Sequence, residues 1–299
     1  MSFTYDVKQE IAQLRPSGAE ELRAQGYGLF LFSKQFSPDC IRVQTENEYT
    51  AQVASDLLEQ LGIRPDCRQN AQNGERESPV YRYTVDRPDD CGRLLAYFGC
   101  RAAVPVNRRE LRRQRNLSFF LGGAFLACGS VTDPSKSYHL EFAVPDEALC
   151  DELEELAGGI APFKRSQRKG VPILYLKESE QIEDMLTFLG ATRASLTMME
   201  VKIYKDFRNK ANRQTNCETA NIDKTINAAA NQAADIELLV ERLGWEGIPD
   251  DLRELARLRL ENPEYSLREI GEALRAPMSR SGVSHRFQRL KELADRNRG

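Results

Sequence analysis

The pattern of apolar and polar residues along the first two thirds of the chain occurs twice. Residues 20–100 and 117–191 show the same succession, with matching positions about 91–97 residues apart. Small and aromatic residues at the start of each copy predict a helix, and alternating apolar and polar residues then predict strands with one buried face. The pairs are opening helices 26–36 and 121–131, strands 41–47 and 138–144, middle helices with Leu58 and Leu61 or Leu153 and Leu156, strands 80–85 and 171–176, and closing helices 91–99 and 182–190. If weaker strands lie before each middle helix and in the polar loops, the element order of both copies is helix, hairpin, helix, hairpin, helix. This order predicts an α+β pseudo-dimer.

Glycines in the two opening helices indicate how the copies meet. Gly28 in the first, and Gly122, Gly123 and Ala127 in the second, remove side chains from one face, so that two helix backbones can approach closely. Since each glycine weakens an isolated helix by about 1 kcal/mol relative to alanine, packing between the helices is expected to compensate. The alternative is two unrelated apolar core helices.

Three short helices are predicted near the C-terminus. The first, over 248–263, stops where Asn262 precedes Pro263. The second begins at a capping box formed by Ser266 and Glu269. Ser279 follows a tight turn and caps the third helix, over 280–297. Three helices with a tight turn before a polar third one are typical of a helix-turn-helix domain.

The outward side of the third helix carries the candidate DNA contacts. Its inner stripe is Val283, Phe287, Leu290 and Ala294, which leaves short or planar hydrogen-bonding groups outside, where a recognition helix touches base edges. Residues 275–299 hold seven Lys or Arg and two acidic residues, a net charge of +5. The predicted DNA-binding residues are Arg280, Ser281, Ser284, His285, Arg286, Gln288, Arg289 and Lys291. The alternative is a small helical protein-interaction domain, because many basic helices are simply solvated.

Two polar segments join these parts. Residues 101–116 carry six arginines and one glutamate, and they form either a solvated connector or a phosphate-facing patch. Residues 194–245 are rich in asparagine, a poor helix former, so directed hydrogen bonds between domains or to a partner are expected. An interdomain joint is favoured over a flexible linker, because Gly, Ser and Pro are nearly absent there.

Composition adds limits on the class of protein. The chain has 299 residues, 42 Lys or Arg and 45 Asp or Glu, so the net charge of −3 gives no global reason to expect an anionic partner. That average conceals basic clusters at 101–116 and 275–299, balanced by acidic stretches such as 146–156. The longest apolar stretch, 117–129, is shorter than the roughly 20 residues of a membrane span.

The N-terminus and the cysteines predict a reducing compartment. The first residues lack the apolar block of a signal peptide, so we expect a cytoplasmic, nucleoid-associated protein without a membrane partner. Seven cysteines occur without a C-x-x-C pair, which indicates neither a disulfide framework nor a zinc knuckle. No cofactor and no metal are predicted.

The repeated unit resembles the LAGLIDADG homing-endonuclease fold, in which two glycine-containing helices form the central interface beneath a saddle of two sheets over DNA. Residues 121–129 keep the small packing residues of that motif. The metal-binding carboxylate of the family falls on Ser33 in the first copy and on Cys128 in the second, and neither is acidic. Because magnesium needs carboxylate ligands to orient a water, the resemblance implies lost nuclease activity and a protein that is not an enzyme. A residual metal-dependent endonuclease is the alternative.

Together with the asparagine-rich segment and the helix-turn-helix, nearly the whole chain resembles the WhiA family of bacterial transcription regulators. The stretches 122–142, 208–232 and 266–293 carry this resemblance. It implies sequence-specific binding of double-stranded DNA at promoters, with roles in cell division, chromosome segregation or sporulation. It also implies a WhiB-type iron–sulfur regulator or RNA polymerase as protein partners. A protein-interaction scaffold that never touches DNA is the competing hypothesis.

The resemblance also sets the expected fold and its divisions. The fold is α+β, a pseudo-two-fold LAGLIDADG-like N-terminal domain followed by an all-α helix-turn-helix domain. The expected segments are a first LAGLIDADG-like repeat at 1–100, a basic connector at 101–116, a second repeat at 117–193, an asparagine-rich helical bridge at 194–245 and the helix-turn-helix domain at 246–299.

Overall fold

A computed structural model describes residues 2–70 and 79–298. The chain divides into two units, residues 1–205 and 206–299. Each unit has its own hydrophobic core. Every cysteine is a free thiol, as the sequence predicted. Within the described ranges, no helix is both long and apolar enough to cross a membrane.

The first unit contains both repeats. Helix α1 (Phe3–Ala12) precedes them, and no element was predicted there. The first repeat consists of α2 (Ala19–Leu31), β1 (Gln35–Phe36), β2 (Ile41–Thr45), α3 (Glu48–Gln60), β3 (Asp66–Asn70), β4 (Val80–Val85) and α4 (Pro88–Tyr97). The second consists of α5 (Gln114–Cys128), β5 (Gly129–Val131), β6 (Leu140–Ala143), α6 (Glu147–Ala157), β7 (Lys164–Arg168), β8 (Val171–Leu176) and α7 (Ser179–Phe188).

The two sheets have the same topology. Each has four antiparallel strands, in the order β1-β2-β4-β3 and β5-β6-β8-β7. The central pairs also correspond, since β2 pairs with β4 and β6 with β8. The predicted α+β fold with an internal two-fold repeat is therefore confirmed.

Helices α2 and α5 meet through their backbones. A Cβ atom built on Gly28 would lie 1.9 Å from the carbonyl oxygen of Phe120, and one on Gly123 would lie 2.0 Å from that of Gln25. These two contacts are reciprocal, because each glycine touches the residue three positions before the other. Gly122 was predicted to share this role. A Cβ atom built on Gly122 would instead lie 3.2 Å from the Cγ2 atom of Ile11 in α1, so that part of the prediction is wrong.

The predicted opening helices extend too far in both repeats. Helix α2 ends at Leu31, and Gln35 and Phe36 form a strand; α5 ends at Cys128, and Gly129 already has extended backbone angles. Apolar residues continue past both helix ends, since Phe32 and Val131 are also buried in the core. Apolarity alone therefore could not show where the helix stopped.

The basic segment 101–116 is anchored to the first unit. Val106 and Leu111 are buried in its core. Three of the six arginines form ion pairs: Arg108 with Glu152 and Glu155, Arg113 with Glu20, and Arg115 with Glu21. These pairs offset half of the charge that suggested a phosphate-facing patch, and they favour a connector.

One long helix, α8 (Thr192–Leu243), takes up most of the asparagine-rich segment. Ala194 and Met198 are buried in the first core, and Ile236 and Leu239 in the second. Residues 206–228 are exposed throughout. The domain boundaries expected at 193 and 245 remain predictions, and α8 runs continuously through residue 193.

Candidate nucleic-acid interface

The second unit is a small helical domain. After the end of α8 it contains α9 (Asp250–Glu261), α10 (Leu267–Ala273) and α11 (Arg280–Arg296). As the apolar spacing predicted, α9 ends one residue before Asn262, which precedes Pro263. The core residues come from all four helices and the loop before α9, and they are Ile236, Leu239, Ile248, Leu252, Leu255, Ala256, Ile270, Leu274, Val283, Phe287, Leu290 and Ala294.

Local hydrogen bonds fix the start of α10. The Ser266 hydroxyl accepts from the Glu269 N–H at 3.3 Å, and the Glu269 carboxylate accepts from the Ser266 N–H at 2.7 Å. This is the predicted capping box, which satisfies two backbone donors of the first turn reciprocally. The same bonds hold the pKa of Glu269 below its usual value.

A tight turn then sets the position of α11 against α10. The Met278 N–H donates to the Gly271 carbonyl at 3.1 Å, and a Cβ atom on Gly271 would lie 2.5 Å from the Met278 carbonyl oxygen. Ser279 caps α11 by accepting from the Gly282 N–H at 3.3 Å, as predicted. Since α10, the turn and α11 are linked by these backbone contacts, the position of α11 follows from local geometry.

Six of the eight predicted DNA-binding residues lie together on α11. All six are exposed, and they span one sector of the helix, from the margin of the buried stripe at Arg280 and Lys291 to its opposite side at Ser281 and His285. Ser281 shares a 3.0 Å hydrogen bond with Ser279, and Gln288 donates to Glu292 at 3.4 Å. No side-chain bond is present for the other four within the described part of the chain. The six are Arg280, Ser281, Ser284, His285, Gln288 and Lys291.

The other two predicted residues lie on the flank of α11 that faces α9. Arg286 donates to the Asp251 carbonyl at 3.1 Å, and Arg289 pairs with the Asp251 carboxylate at 2.6 Å. Arg286 is partly buried. Each guanidinium has further N–H donors, so either side chain can contact DNA while it keeps its bond to Asp251.

Arg259, a buried cation beneath α11, was not among the residues predicted from the sequence. Its side chain is 1% exposed and donates to Gln232 and to the carbonyls of Asn262, Pro263 and Tyr265. Its guanidinium lies 5.3 Å from the Phe287 ring centroid. Burial lowers the pKa of Arg259. One signal could have found it, because Arg259 continues the inward stripe of α9 one turn beyond Leu255 and Ala256.

The first unit contains the positions where the LAGLIDADG motif carries its carboxylates. The Ser33 hydroxyl is buried and donates to the Phe30 carbonyl at 2.6 Å. Burial raises the pKa of Cys128 to about 12. Near it, Lys8 of α1 donates to the Leu126 carbonyl at 2.9 Å. Burial lowers the pKa of Lys8 to about 8. Neither helix end therefore offers a carboxylate at the expected position.

Other polar groups of the first unit have partners of their own. His139 lies one residue before β6, and its Nε2 shares a 2.9 Å hydrogen bond with Glu141, which also accepts from Arg168. Among residues 2–70 and 79–298, no group of three or more His, Cys, Asp or Glu is arranged to hold a metal ion.

Family models match two successive parts of the chain. Residues 117–208 match the WhiA LAGLIDADG-like domain, and residues 211–294 match the WhiA C-terminal HTH domain. The second match includes most of the asparagine-rich part of α8.

Full-length relatives show the same likeness. The chain is 36% identical over 310 residues to a probable cell division protein WhiA of Clostridium novyi, covering 99% of this chain and 98% of that protein. It is 33% identical over 312 residues to the protein of the same name in Clostridium perfringens, with the same coverage.

Solved structures share the fold. The crystal structure of full-length DUF199/WhiA from Thermotoga maritima matches with a TM-score of 0.59 at 22% identity, covering 100% of both chains. The N-terminal LAGLIDADG domain of DUF199/WhiA matches with a TM-score of 0.51 at 16% identity, covering 63% of this chain and 90% of that one.

Proposed function

Since this chain belongs to the WhiA family, we propose that it is a sequence-specific regulator of transcription that binds double-stranded DNA and does not cleave it. The observation that carries the proposal is the exposed face of α11. Its six residues combine two cations with four short or planar hydrogen-bonding groups at the N-terminal part of the helix. This is the composition of a helix that enters the major groove.

Each residue of that face has a chemical role in the proposal. Gln288 is suited to pair with the N6 and N7 edge of adenine, and Ser281 and Ser284 hydrogen-bond either donors or acceptors on base edges. His285 adds a planar group beside them. Arg280 and Lys291 carry charges that bind phosphates and position the helix. Arg286 and Arg289 can join the interface through the N–H donors that their bonds to Asp251 leave unused.

In this proposal, the chain lacks nuclease activity because the ends of α2 and α5 carry no carboxylate at the positions that would bind the metal. A magnesium ion that activates water requires carboxylate oxygens, whereas Ser33 and Cys128 occupy the matching positions. Lys8, beside Cys128, adds an amine rather than a ligand oxygen. The first unit then supports regulation without catalysis.

The biological role rests on the family. We propose a role in cell division, chromosome segregation or sporulation, of which the first is supported by relatives named as probable cell division proteins. We propose a cytoplasmic, nucleoid-associated protein, with a WhiB-type iron–sulfur regulator or RNA polymerase as the protein partners.

Mapping of DNA bound in the cell, followed by binding of the full chain to the recovered fragments, tests the proposal. Gln288→Ala is expected to relax the preference at one base pair, a loss of about 1–3 kcal/mol on the preferred duplex, with little change on random duplex. Gln52→Ala, at an exposed glutamine of α3 in the first unit, is the matched control.

Two results would contradict the proposal. A flat salt dependence of binding, with no enrichment of DNA sites, would support the scaffold hypothesis instead. Cleavage of supercoiled plasmid with Mg²⁺ that disappears after substitution at the ends of α2 or α5 would support a residual endonuclease.

A further inference from the structure

A cleft in the second unit lies at the N-terminal ends of α10 and α11. Its volume is about 480 Å³, and α8 forms one wall. Four cationic side chains line it: Lys224 of α8, Arg259 of α9, Arg268 of α10 and Arg280 of α11. Thr225, Ala228 and Ala229 also face it with small side chains, which leave the space open. Cations from four different helices thus converge on one cavity.

The charge of this cleft is poorly balanced by carboxylates. Arg268 pairs with Glu272, one turn along its own helix, at 2.8 Å. Arg259 is held by carbonyl oxygens and by an amide. Within the described part of the chain, no carboxylate lies within ion-pair distance of Lys224 or Arg280. The cleft therefore has a surplus of positive charge that can attract an anion.

The attraction comes from side chains and not from the end of α10. The Glu269 carboxylate already accepts from the Ser266 N–H there, so an incoming anion would meet a negative group at that position. Arg259 acts differently, because no carboxylate lies within ion-pair distance of it in the described part of the chain. Glu264 acts on it at longer range and offsets part of its charge, and the remainder is weakly screened in the interior. It raises the positive potential at the floor of the cleft.

We propose that the cleft binds a phosphate of the DNA backbone and that Lys224 brings α8 into the DNA interface. The inference rests on the proposed function and extends it to a helix outside the helix-turn-helix. Arg280 connects the two, because it both begins α11 and lines the cleft. A phosphate bound beside Arg280 therefore lies next to the groove that α11 faces.

This assignment also explains part of the asparagine-rich sequence. Asn227 and Asn231 follow Lys224 by three and seven positions, so they share its side of α8, and both are exposed. Amide side chains in such a row can hydrogen-bond the sugar–phosphate backbone without reading bases. Arg259 is a positioning residue here, since it supports the cleft floor and holds the 262–265 turn that leads to α10.

Binding of the full chain to a random-sequence duplex at several salt concentrations tests the inference, because a phosphate contact does not depend on sequence. Lys224→Ala is expected to weaken binding and to reduce the slope of log K against log[salt] by about 0.9. Equivalently, the affinity deficit of the variant shrinks about 3.5-fold between about 50 and 200 mM salt. Lys224→Arg keeps the charge and is expected to retain the wild-type slope.

The control is Arg242→Ala, which removes an exposed cation from the last turn of the same helix, outside the cleft. It is expected to bind like the wild type. If Lys224→Ala also binds like the wild type while Gln288→Ala still relaxes specificity, the cleft inference is wrong and the proposed function stands. If the wild-type chain binds no duplex, both fail.

A further experiment distinguishes binding of DNA in the cleft from binding of a small anion. Inorganic phosphate is added without DNA, and thermal stability is measured for the wild type and Lys224→Ala. Stabilisation by phosphate that needs Lys224, combined with unchanged DNA binding by the variant, would make the cleft a small-anion site and would overturn the inference.

Discussion

At the scale of single residues, Gly28 and Gly123 control the contact between α2 and α5. Each would place a Cβ atom within about 2 Å of a carbonyl oxygen on the other helix. Such a distance is far inside van der Waals contact, and backbone atoms cannot rotate away as a side chain can. Any larger residue must therefore push the two helices apart along the centre of the first core.

Gly28→Ala is expected to destabilise the first unit by about 3 kcal/mol or more, since overpacking costs about 1–3 kcal/mol even where side chains can adjust. Urea unfolding followed by a probe in the first unit measures the effect. Gly92→Ala is the control, because nothing lies within 4 Å of its added Cβ on the exposed side of α4. It is expected to stabilise the protein by about 0.5–1 kcal/mol. Equal effects of the two substitutions would contradict the proposed contact.

Lys8 makes the stability of the first unit depend on pH. Burial lowers its pKa from 10.5 to about 8, so between these values the unfolded state binds more protons than the folded state. Stability from this group therefore rises with pH over that range. Relative to Lys8→Met, the wild type is expected to gain about 1 kcal/mol between about pH 7 and pH 9.

Denaturant unfolding of both proteins at each pH measures this gain, because titrations that they share cancel in the difference. Lys34→Met, at an exposed lysine, is the control for removal of a charge. A constant difference between wild type and Lys8→Met across this pH range would show that Lys8 is not desolvated.

The residues that sequence could identify are those whose partners are close along the chain. The Ser266 and Glu269 capping box and the Ser279 cap involve positions three apart, so spacing alone predicted them. Lys8 contacts a carbonyl at the far end of α5, and Arg259 packs under α11. The burial of Lys8 depends on the tertiary fold, and no local pattern indicates it, whereas the inward stripe of α9 was the one local signal for Arg259.

At the scale of elements, α8 combines two buried ends with an exposed middle. Its early residues belong to one core and its late residues to another, whereas 206–228 have no buried side chain. Most helix stability in proteins comes from tertiary packing, which this stretch lacks, and asparagine lowers the stability of a helix further. The middle of α8 is therefore the least stabilised part of the helix.

Hydrogen exchange is expected to reflect this difference along one continuous helix. Amides at 209–227 should exchange much faster than those at 236–240, since the latter are held by the core of the second unit. Exchange mass spectrometry with peptide resolution measures both segments in one experiment. Duplex DNA is expected to slow exchange around Lys224, and equal protection of both segments without DNA would contradict the expectation.

Strand positions were predicted better than helix ends. Strands β4 and β8 have the predicted bounds, whereas β2 and β6 are shorter than the predicted 41–47 and 138–144. The opening helices were predicted to run into β1 and β5, since buried apolar residues continue through the change from helix to strand. Where burial does not change, the sequence pattern does not show the boundary between a helix and the strand that follows it.

At the scale of the whole molecule, the described residues form two hydrophobic cores that share no member. The family resemblance indicated this division, and net charge did not, because the basic and acidic stretches of the chain balance one another in the total. What the sequence could not predict is that one helix supplies residues to both cores, since the polar middle of α8 resembles a linker in composition.

Two cores should produce two unfolding transitions in calorimetry. Leu121→Ala, in the first core, is expected to lower the melting temperature of one transition, and Leu255→Ala, in the second core, that of the other. Each substitution is expected to reduce the free energy of unfolding of its unit by about 2–5 kcal/mol. A single transition that both substitutions shift equally would show instead that the units unfold together.

The contact between α2 and α5 also limits how the two repeats can diverge. In an ordinary core, a larger residue at one position is compensated by a smaller one opposite. No such second-site suppressor exists for Gly28 or Gly123, because the obstacle is a main-chain oxygen that every amino acid at positions 120 or 25 would carry. The packing of each repeat therefore depends on a glycine at the matching position of the other repeat. This pair of positions can therefore change only if both helices move apart together.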